Sequence, residues 1–294
     1  MSYWDLSTRG KIRLTGEDCA RLLHAMTTNH IQQLTPGAGC YAFFLSAQGR
    51  ILADANILCR PDHFLVDTEP ETTEKLYQHL DKFIIADDVT LEDVTAATAT
   101  IALEGDDAAD VLRGAGAPVP EEPYANEAWG ARLVTRMSYA GGPGYTLFAP
   151  MEEGAELIGQ LRTSAGTSAE FNILRLENGK PRYGQDISER YLAQEVNQPG
   201  ALHFSKGCYL GQEIVERVRS RGQVHRVLMP VTLETETVPP PGTKLQVDGK
   251  DAAELTSAEF SPSLNKVVGL AYVRTEHAKS GTVLQLGETT ASVR

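Results

Sequence analysis

The sequence predicts an α+β protein of more than one domain that ends in a small β-rich unit. Three observations carry this reading. Between residues 41 and 112, runs with strand-like character and runs with helical spacing follow one another, the pattern of a compact α+β unit. From residue 227 onward several short apolar runs are separated by glycine, proline and polar turns, so their apolar faces must cover one another in a barrel or sandwich. A length of 294 residues gives room for about two average domains or three small ones, each with its own core.

The elements are expected in this order. Residues 17–26 place Leu22, Leu23 and Met26 on one helical stripe, and the Pro and Gly residues at 36–39 break the chain into a turn. Strands follow at 41–45 and 51–58, joined by a turn at Gly49 and Arg50, and then at 63–67. Helical spacing at 71–80 brings Leu76, Tyr77 and Leu80 together; a strand at 98–103 and a short helix at 106–112 come next. Strands at 131–135 and 145–148 precede a helix at 152–161. In the last unit, strands are expected at 227–233, 245–247, 252–256, 267–273 and 283–286, interrupted by three prolines at 239–241.

Composition narrows the functional classes. With 41% hydrophobic and 22% charged residues the chain is globular, and no run reaches the roughly 18 apolar residues of a membrane span. The opening residues lack the apolar core of a signal peptide, so the cytoplasm is the expected location, with the mitochondrial matrix as the alternative for a processed form. Cys19, Cys40, Cys59 and Cys208 are too dispersed for a close-spaced metal motif and read as free thiols. A net charge of -12 argues against broad binding to nucleic acid or anionic membranes, although residues 203–226 are locally basic. A monomer without membrane contact is expected.

The most unusual residue is Cys208, in the run Lys206-Gly-Cys-Tyr-Leu-Gly-Gln-Glu213. A thiolate is the reactive and metal-binding form of cysteine, and it is favoured by a neighbouring cation such as Lys206 or by the amino end of a helix starting near Tyr209. Gly207 and Gly211 permit tight backbone paths, Gln212 orients the loop or a ligand, and Glu213 pairs with Lys206 or Arg217. Arg217, Arg219 and Arg221 are two residues apart, so a bend or an extended exit is needed to show them on one surface, which Arg226 extends. Such a surface suits an anionic ligand, an RNA or a protein partner.

That run, together with residues 174–186 and the passage from Gly37 to Asp54, resembles the YgfZ group of folate-associated iron-sulfur assembly proteins, which are related to the glycine-cleavage aminomethyltransferases. The resemblance implies a three-domain aminomethyltransferase-like ring around a central cavity, with ferredoxin-like α/β elements and a C-terminal β-barrel. Residues 1–40 and 121–226 would form a discontinuous folate-binding core, 41–120 a ferredoxin-like domain and 227–294 the barrel. It implies tetrahydrofolate or another reduced folate as cofactor, and an accessory or scaffold role in maturing selected iron-sulfur enzymes, including those of tRNA modification. The partners would be an iron-sulfur assembly or carrier protein and the client enzymes. Cys208 would serve as a reactive or partner-transfer thiol with at most a transient metal contact, since one cysteine cannot hold a stable cluster.

The same resemblance assigns the pterin contact to Glu177, with Arg175 orienting it, Tyr183 packing beside it and Asn172 and Gln185 as further polar contacts. Of an acid pair expected at 53 and 54, Ala53 replaces one member and Asp54 retains the other. The loss at 53 argues against aminomethyl transfer, which stays open as the enzymatic alternative. A noncatalytic RNA or protein interaction module is the third possibility.

Overall fold

Strand Ile51–Cys59 is apolar along almost its whole length because both of its faces are covered. One face packs Ala53 and Ala55 against Leu22, Leu23 and Met26 of helix Cys19–Met26 and Leu76 and Leu80 of helix Thr73–Asp81. The opposite face of the sheet carries Tyr41, Phe43 and Ile51 towards the middle of the molecule, where Leu176, Tyr191 and Tyr272 meet them. The computed structural model describes residues 2–222 and 224–294, without the Arg221 side chain.

Three sheets organise the chain. The first, all antiparallel, has five strands in the order Gly39–Leu45, Ile51–Cys59, Phe64–Thr68, Gly10–Thr15 and Thr90–Asp93. The second has six, in the order Ser164–Ala165, Ser2–Asp5, Thr98–Glu104, Gly144–Pro150, Arg132–Thr135 and Asn126–Trp129. Helices Ala108–Gly114 and Gly154–Leu161 cover it through Leu112, Leu157 and Leu161. The third is a closed barrel of six strands between Arg226 and Val293, filled by residues such as Val231, Leu245, Leu255 and Leu284. Closure leaves that small unit without an exposed strand edge.

Strand pairing draws the boundaries elsewhere than at 40 and 120. Gly10–Thr15 pairs with Phe64–Thr68, so the first forty residues share a sheet with the following fifty. Gly144–Pro150 pairs with Thr98–Glu104, which joins the segments on either side of residue 120. Ser2–Asp5 crosses to the second sheet, tying the two together at the start of the chain. Among the described residues no helix is long and apolar enough to cross a membrane.

Helix Ser168–Glu177 then runs between these sheets and the barrel. It begins at a capping box in which Thr167 Oγ1 accepts from the Glu170 amide and the Glu170 carboxylate accepts from the Thr167 amide. Helix Gln212–Arg221 is continuous through Arg217, Arg219 and Arg221, so the bend expected there is absent. Successive steps of two residues turn about 200° around a helix, which spreads these arginines instead of aligning them; the Arg221 side chain itself lies outside the described residues.

Candidate active-site cavity

The cavity of about 590 Å³ that lies between the first sheet, the second sheet and helix Ser168–Glu177 is the candidate site. Its size is ordinary for a small-molecule pocket. The first sheet contributes Tyr41, Asp54 and Asn56, which share one face because Phe43 and Asp54, and Tyr41 and Asn56, are cross-strand partners. Trp4 and Phe171 meet in a tilted pair with ring centroids 5.6 Å apart and supply an aromatic wall.

Asp54 is the chemically distinctive group. Its Oδ2 accepts from the Tyr41 hydroxyl at 2.6 Å, whereas Oδ1 is buried without a hydrogen-bond partner among the described residues. Burial pushes the Asp54 carboxyl up, and Glu69 adds to this, while the Tyr41 bond and the cations Arg9 and Lys180 pull it down. The Lys180 ammonium sits 4.1 Å from the centre of the Tyr41 ring, and its burial lowers its own pKa. An aspartate with one oxygen oriented and the other free is equipped to accept a hydrogen bond, or a proton, from a bound N–H group.

Around it the other cations are neutralised. Arg9 pairs with Asp67 at 3.0 Å and with Glu69, and lies 4.3 Å from the Tyr139 ring centre. Arg182 pairs with Glu69 at 2.9 Å. Arg175, 2% exposed, does not orient Glu177: it donates to Asp186 at 2.7 Å, to Asn172 Oδ1 and to Gln185 Oε1. Asp186 in turn accepts from Thr256 and Ser257 of the barrel, so this buried cluster fastens helix, loop and barrel together. Asn172 and Gln185 reach the cavity wall through the same cluster, with Asn172 donating to Glu259 at 2.8 Å.

Two expected folate contacts lie elsewhere. Glu177 accepts from Ser261 and Ser263 on the barrel at 2.5 and 2.7 Å and is not part of the cavity wall. It follows Arg175 by two residues, about 200° around the helix, and so turns away from the side that faces the cavity with Phe171, Asn172 and Arg175. Tyr183 packs in the central core, where its hydroxyl meets Lys75 and the Ile51 carbonyl. The structure also revises the argument from Ala53. It is fully buried on the helix-packed face of its strand, so a carboxylate there would enter the apolar core, and the cavity-facing acid is the one retained, Asp54.

The Cys208 loop is a separate place. Cys208 is exposed, whereas the other cysteines are buried or half-buried. Lys206 does not attend the thiol: its ammonium donates to the carbonyls of His24 and Thr27 at the end of helix Cys19–Met26, and burial lowers its pKa to about 7. Tyr209 lies under that ammonium, 4.6 Å from it to the ring centre. Gln212 orients the loop, accepting from the Tyr209 amide at 3.1 Å; Glu213, exposed in its helix, has no ion pair with Lys206 or Arg217 among the described residues. Gly211 has φ +83°, and a Cβ there would meet the Ser46 carbonyl at 2.6 Å, whereas one on Gly207 would come no nearer than 3.7 Å to His24. Arg226 leaves the proposed basic surface: it pairs with Glu195 at 3.1 Å and covers the stacked rings of Tyr191 and Tyr272. Arg219 packs over Phe204, and no group of three or more metal-ligating side chains exists among the described residues.

Arg9, Lys180 and Asp186 were missed from sequence because each gains its meaning from partners distant along the chain. The Gly-Lys-Pro step at 179–181 was the available signal, since it places a cation next to a turn leaving the helix.

Residues 1–206 match the family model described as the GCVT N-terminal domain, and residues 226–291 match the glycine cleavage T-protein C-terminal barrel domain. An aminomethyltransferase of Rubrobacter xylanophilus is 29% identical over 93% of this chain and 76% of its own length. A chloroplastic protein of Arabidopsis thaliana, provisionally named a transferase, is 27% identical over 97% of this chain and 68% of its own. The crystal structure of the glycine cleavage system aminomethyltransferase T from Bartonella henselae covers 100% of the chain, and 84% of its own, with a TM-score of 0.90 at 22% identity, a likeness of fold.

Proposed function

The chain belongs to the glycine-cleavage T-protein family, and from that premise we propose that it is a tetrahydrofolate-dependent one-carbon transferase of the aminomethyl type. The observation that carries the reading is Asp54, an oriented carboxylate in a cavity with one buried oxygen unpartnered. The residues present fit a reduced folate. Asp54 accepts from a pterin or linker N–H, Trp4 and Phe171 offer apolar surface to a flat ring, and Asn56 adds an amide at the wall. When bound, a reduced folate supplies the nitrogen atoms that carry a one-carbon unit. The protein's part is to orient those atoms, exclude water and hold a proton at Asp54 Oδ1, while Tyr41 fixes the carboxylate plane.

Titration with tetrahydrofolate tests the binding half of this reading. Saturable binding is expected, and Asp54→Asn should weaken it by about 1 to 3 kcal/mol, roughly 5- to 150-fold, through the lost charge-assisted bond. Absence of saturable binding to the folded wild-type protein would contradict it.

A second reading is supported by one observation, the exposure of Cys208. In it the folate-bound protein assists maturation of selected iron-sulfur enzymes and presents the thiol to a carrier protein. Complementation of cells lacking the protein decides: Cys208→Ser with full client activity and abundance removes this reading and leaves the transferase reading untouched.

A further inference from the structure

A second cavity, of about 450 Å³, opens beyond the first. The two share Ser138 and Lys180, which therefore form the threshold between them. In a chain with net charge -12, the described residues that line this second cavity include two cations, Lys180 and Arg136, and no carboxylate; the buried Glu104 lies behind them, where it accepts from Ser138 and attracts Lys180. Neither cation has an ion pair among the described residues. Arg136 donates to the Tyr145 hydroxyl at 2.8 Å, a neutral partner, and Lys180 rests over the Tyr41 ring. The amide side chains of Asn178 and Gln198 stand in the same wall.

The backbone is built to allow this. A Cβ on Gly141 would come within 2.8 Å of the Lys180 Cβ, and one on Gly142 within 2.9 Å of the Asn178 amide, so the glycine run at 141–142 approaches the 178–180 turn only because it lacks side chains. Two unpaired cations and two amides in a concave wall are complementary to an anion with two oxygens. A Lys180 that touches Tyr41, which in turn holds Asp54, links this wall to the reacting side of the first cavity.

We propose that the second cavity is a carboxylate-binding vestibule in which Lys180, assisted by Arg136, holds the carboxylate end of a small substrate whose other end lies on the Asp54 side of the threshold. This rests on the folate-dependent reading above and names the chemistry of what that site must also accept. The carboxylate has two sources, the glutamate tail of the folate itself or an amino-acid co-substrate that gives or takes the one-carbon unit.

Calorimetric titrations of wild type, Lys180→Met, Lys180→Arg and Arg136→Gln with tetrahydrofolate, with tetrahydropterin lacking the tail, and with N-methylglycine separate these, once thermal unfolding has shown each variant folded. Lys180→Met should weaken a carboxylate-bearing probe at least tenfold and change tetrahydropterin affinity less than threefold; Lys180→Arg should restore most of the loss, and Arg136→Gln should show a smaller one. A loss confined to tetrahydrofolate identifies the glutamate tail, and a loss for N-methylglycine the amino-acid co-substrate. Unchanged affinity for both carboxylate probes in Lys180→Met and Arg136→Gln overturns the vestibule. Wild type binding neither tetrahydrofolate nor tetrahydropterin overturns the folate reading instead.

Discussion

Ala53 and Asp54 differ by one position and by everything that matters to their chemistry. In a strand, neighbours point to opposite faces, and here one face is an apolar core and the other a cavity. The sequence made both residues visible, but which face was which depends on helices packed from elsewhere in the chain. For the same reason the exposure of Cys208 was not readable from its motif, and its supposed partner Lys206 turned out to face two carbonyls. Near that loop His24 is held neutral: burial, then the Lys206 charge and the rings of His30 and His203, lower its pKa from 6.5 to about 4. Between those values the unfolded chain binds a proton that the folded chain refuses, so this contribution to stability is present above pH 6.5 and is lost as pH falls towards 4. Glu104, raised to about 7 chiefly by burial, acts in the opposite sense over part of this range, so the comparison must be between proteins and not along one curve. Denaturant unfolding of wild type and His24→Gln should show their stability difference shifting in favour of wild type by about 1 to 3 kcal/mol from pH 4 to 6.5. A difference that does not vary with pH would contradict the neutral, buried histidine.

At the scale of elements, the strands and helices with strong periodicity were legible, including helix Cys19–Met26 and the strands Gly39–Leu45, Ile51–Cys59 and Lys266–Arg274. Gly10–Thr15 was not, because its buried positions include Lys11, a charge whose ammonium is satisfied by the carbonyls of Ser7 and Thr98. Helix Ser168–Glu177 was hidden by its polar content, which the buried cluster around Arg175 explains. The turn before helix Gln212–Arg221 depends on one glycine. Gly211→Ala forces a side chain into the left-handed region and against the Ser46 carbonyl, and should cost about 2 kcal/mol or more. Gly207→Ala, with its nearest neighbour at an ordinary contact distance of 3.7 Å and an ordinary backbone, should cost well under half of that. Equal losses in urea unfolding would show that backbone geometry is not what fixes this loop.

For the whole molecule, the short strands foretold a barrel or sandwich, and the resemblance a barrel, as observed, while the partition of the first 165 residues into two sheets was not foreseen, since antiparallel pairing between Gly10–Thr15 and Phe64–Thr68 leaves no local trace. The barrel is joined to the rest through Asp186, which binds Arg175 and accepts from Thr256 and Ser257. Asp186→Ala strands a buried arginine and should lower stability by about 3 to 5 kcal/mol, read by urea unfolding; a loss below 1 kcal/mol would mean that the cluster does not hold the domains together. The arrangement that results is two sheets, a helix and a barrel around a cavity in whose wall Asp54 keeps one buried oxygen unpartnered among the described residues, and the proposed reaction rests on that oxygen. The most direct test is a single-turnover assay in which the protein, tetrahydrofolate and an aminomethyl donor are mixed and formation of methylenetetrahydrofolate is followed. Wild type should transfer the one-carbon unit saturably, and Asp54→Asn should fall by a hundredfold or more while remaining folded. Tetrahydrofolate binding without any transfer by wild type, or transfer by Asp54→Asn at the wild-type rate, would contradict the assignment of this cavity as the catalytic site.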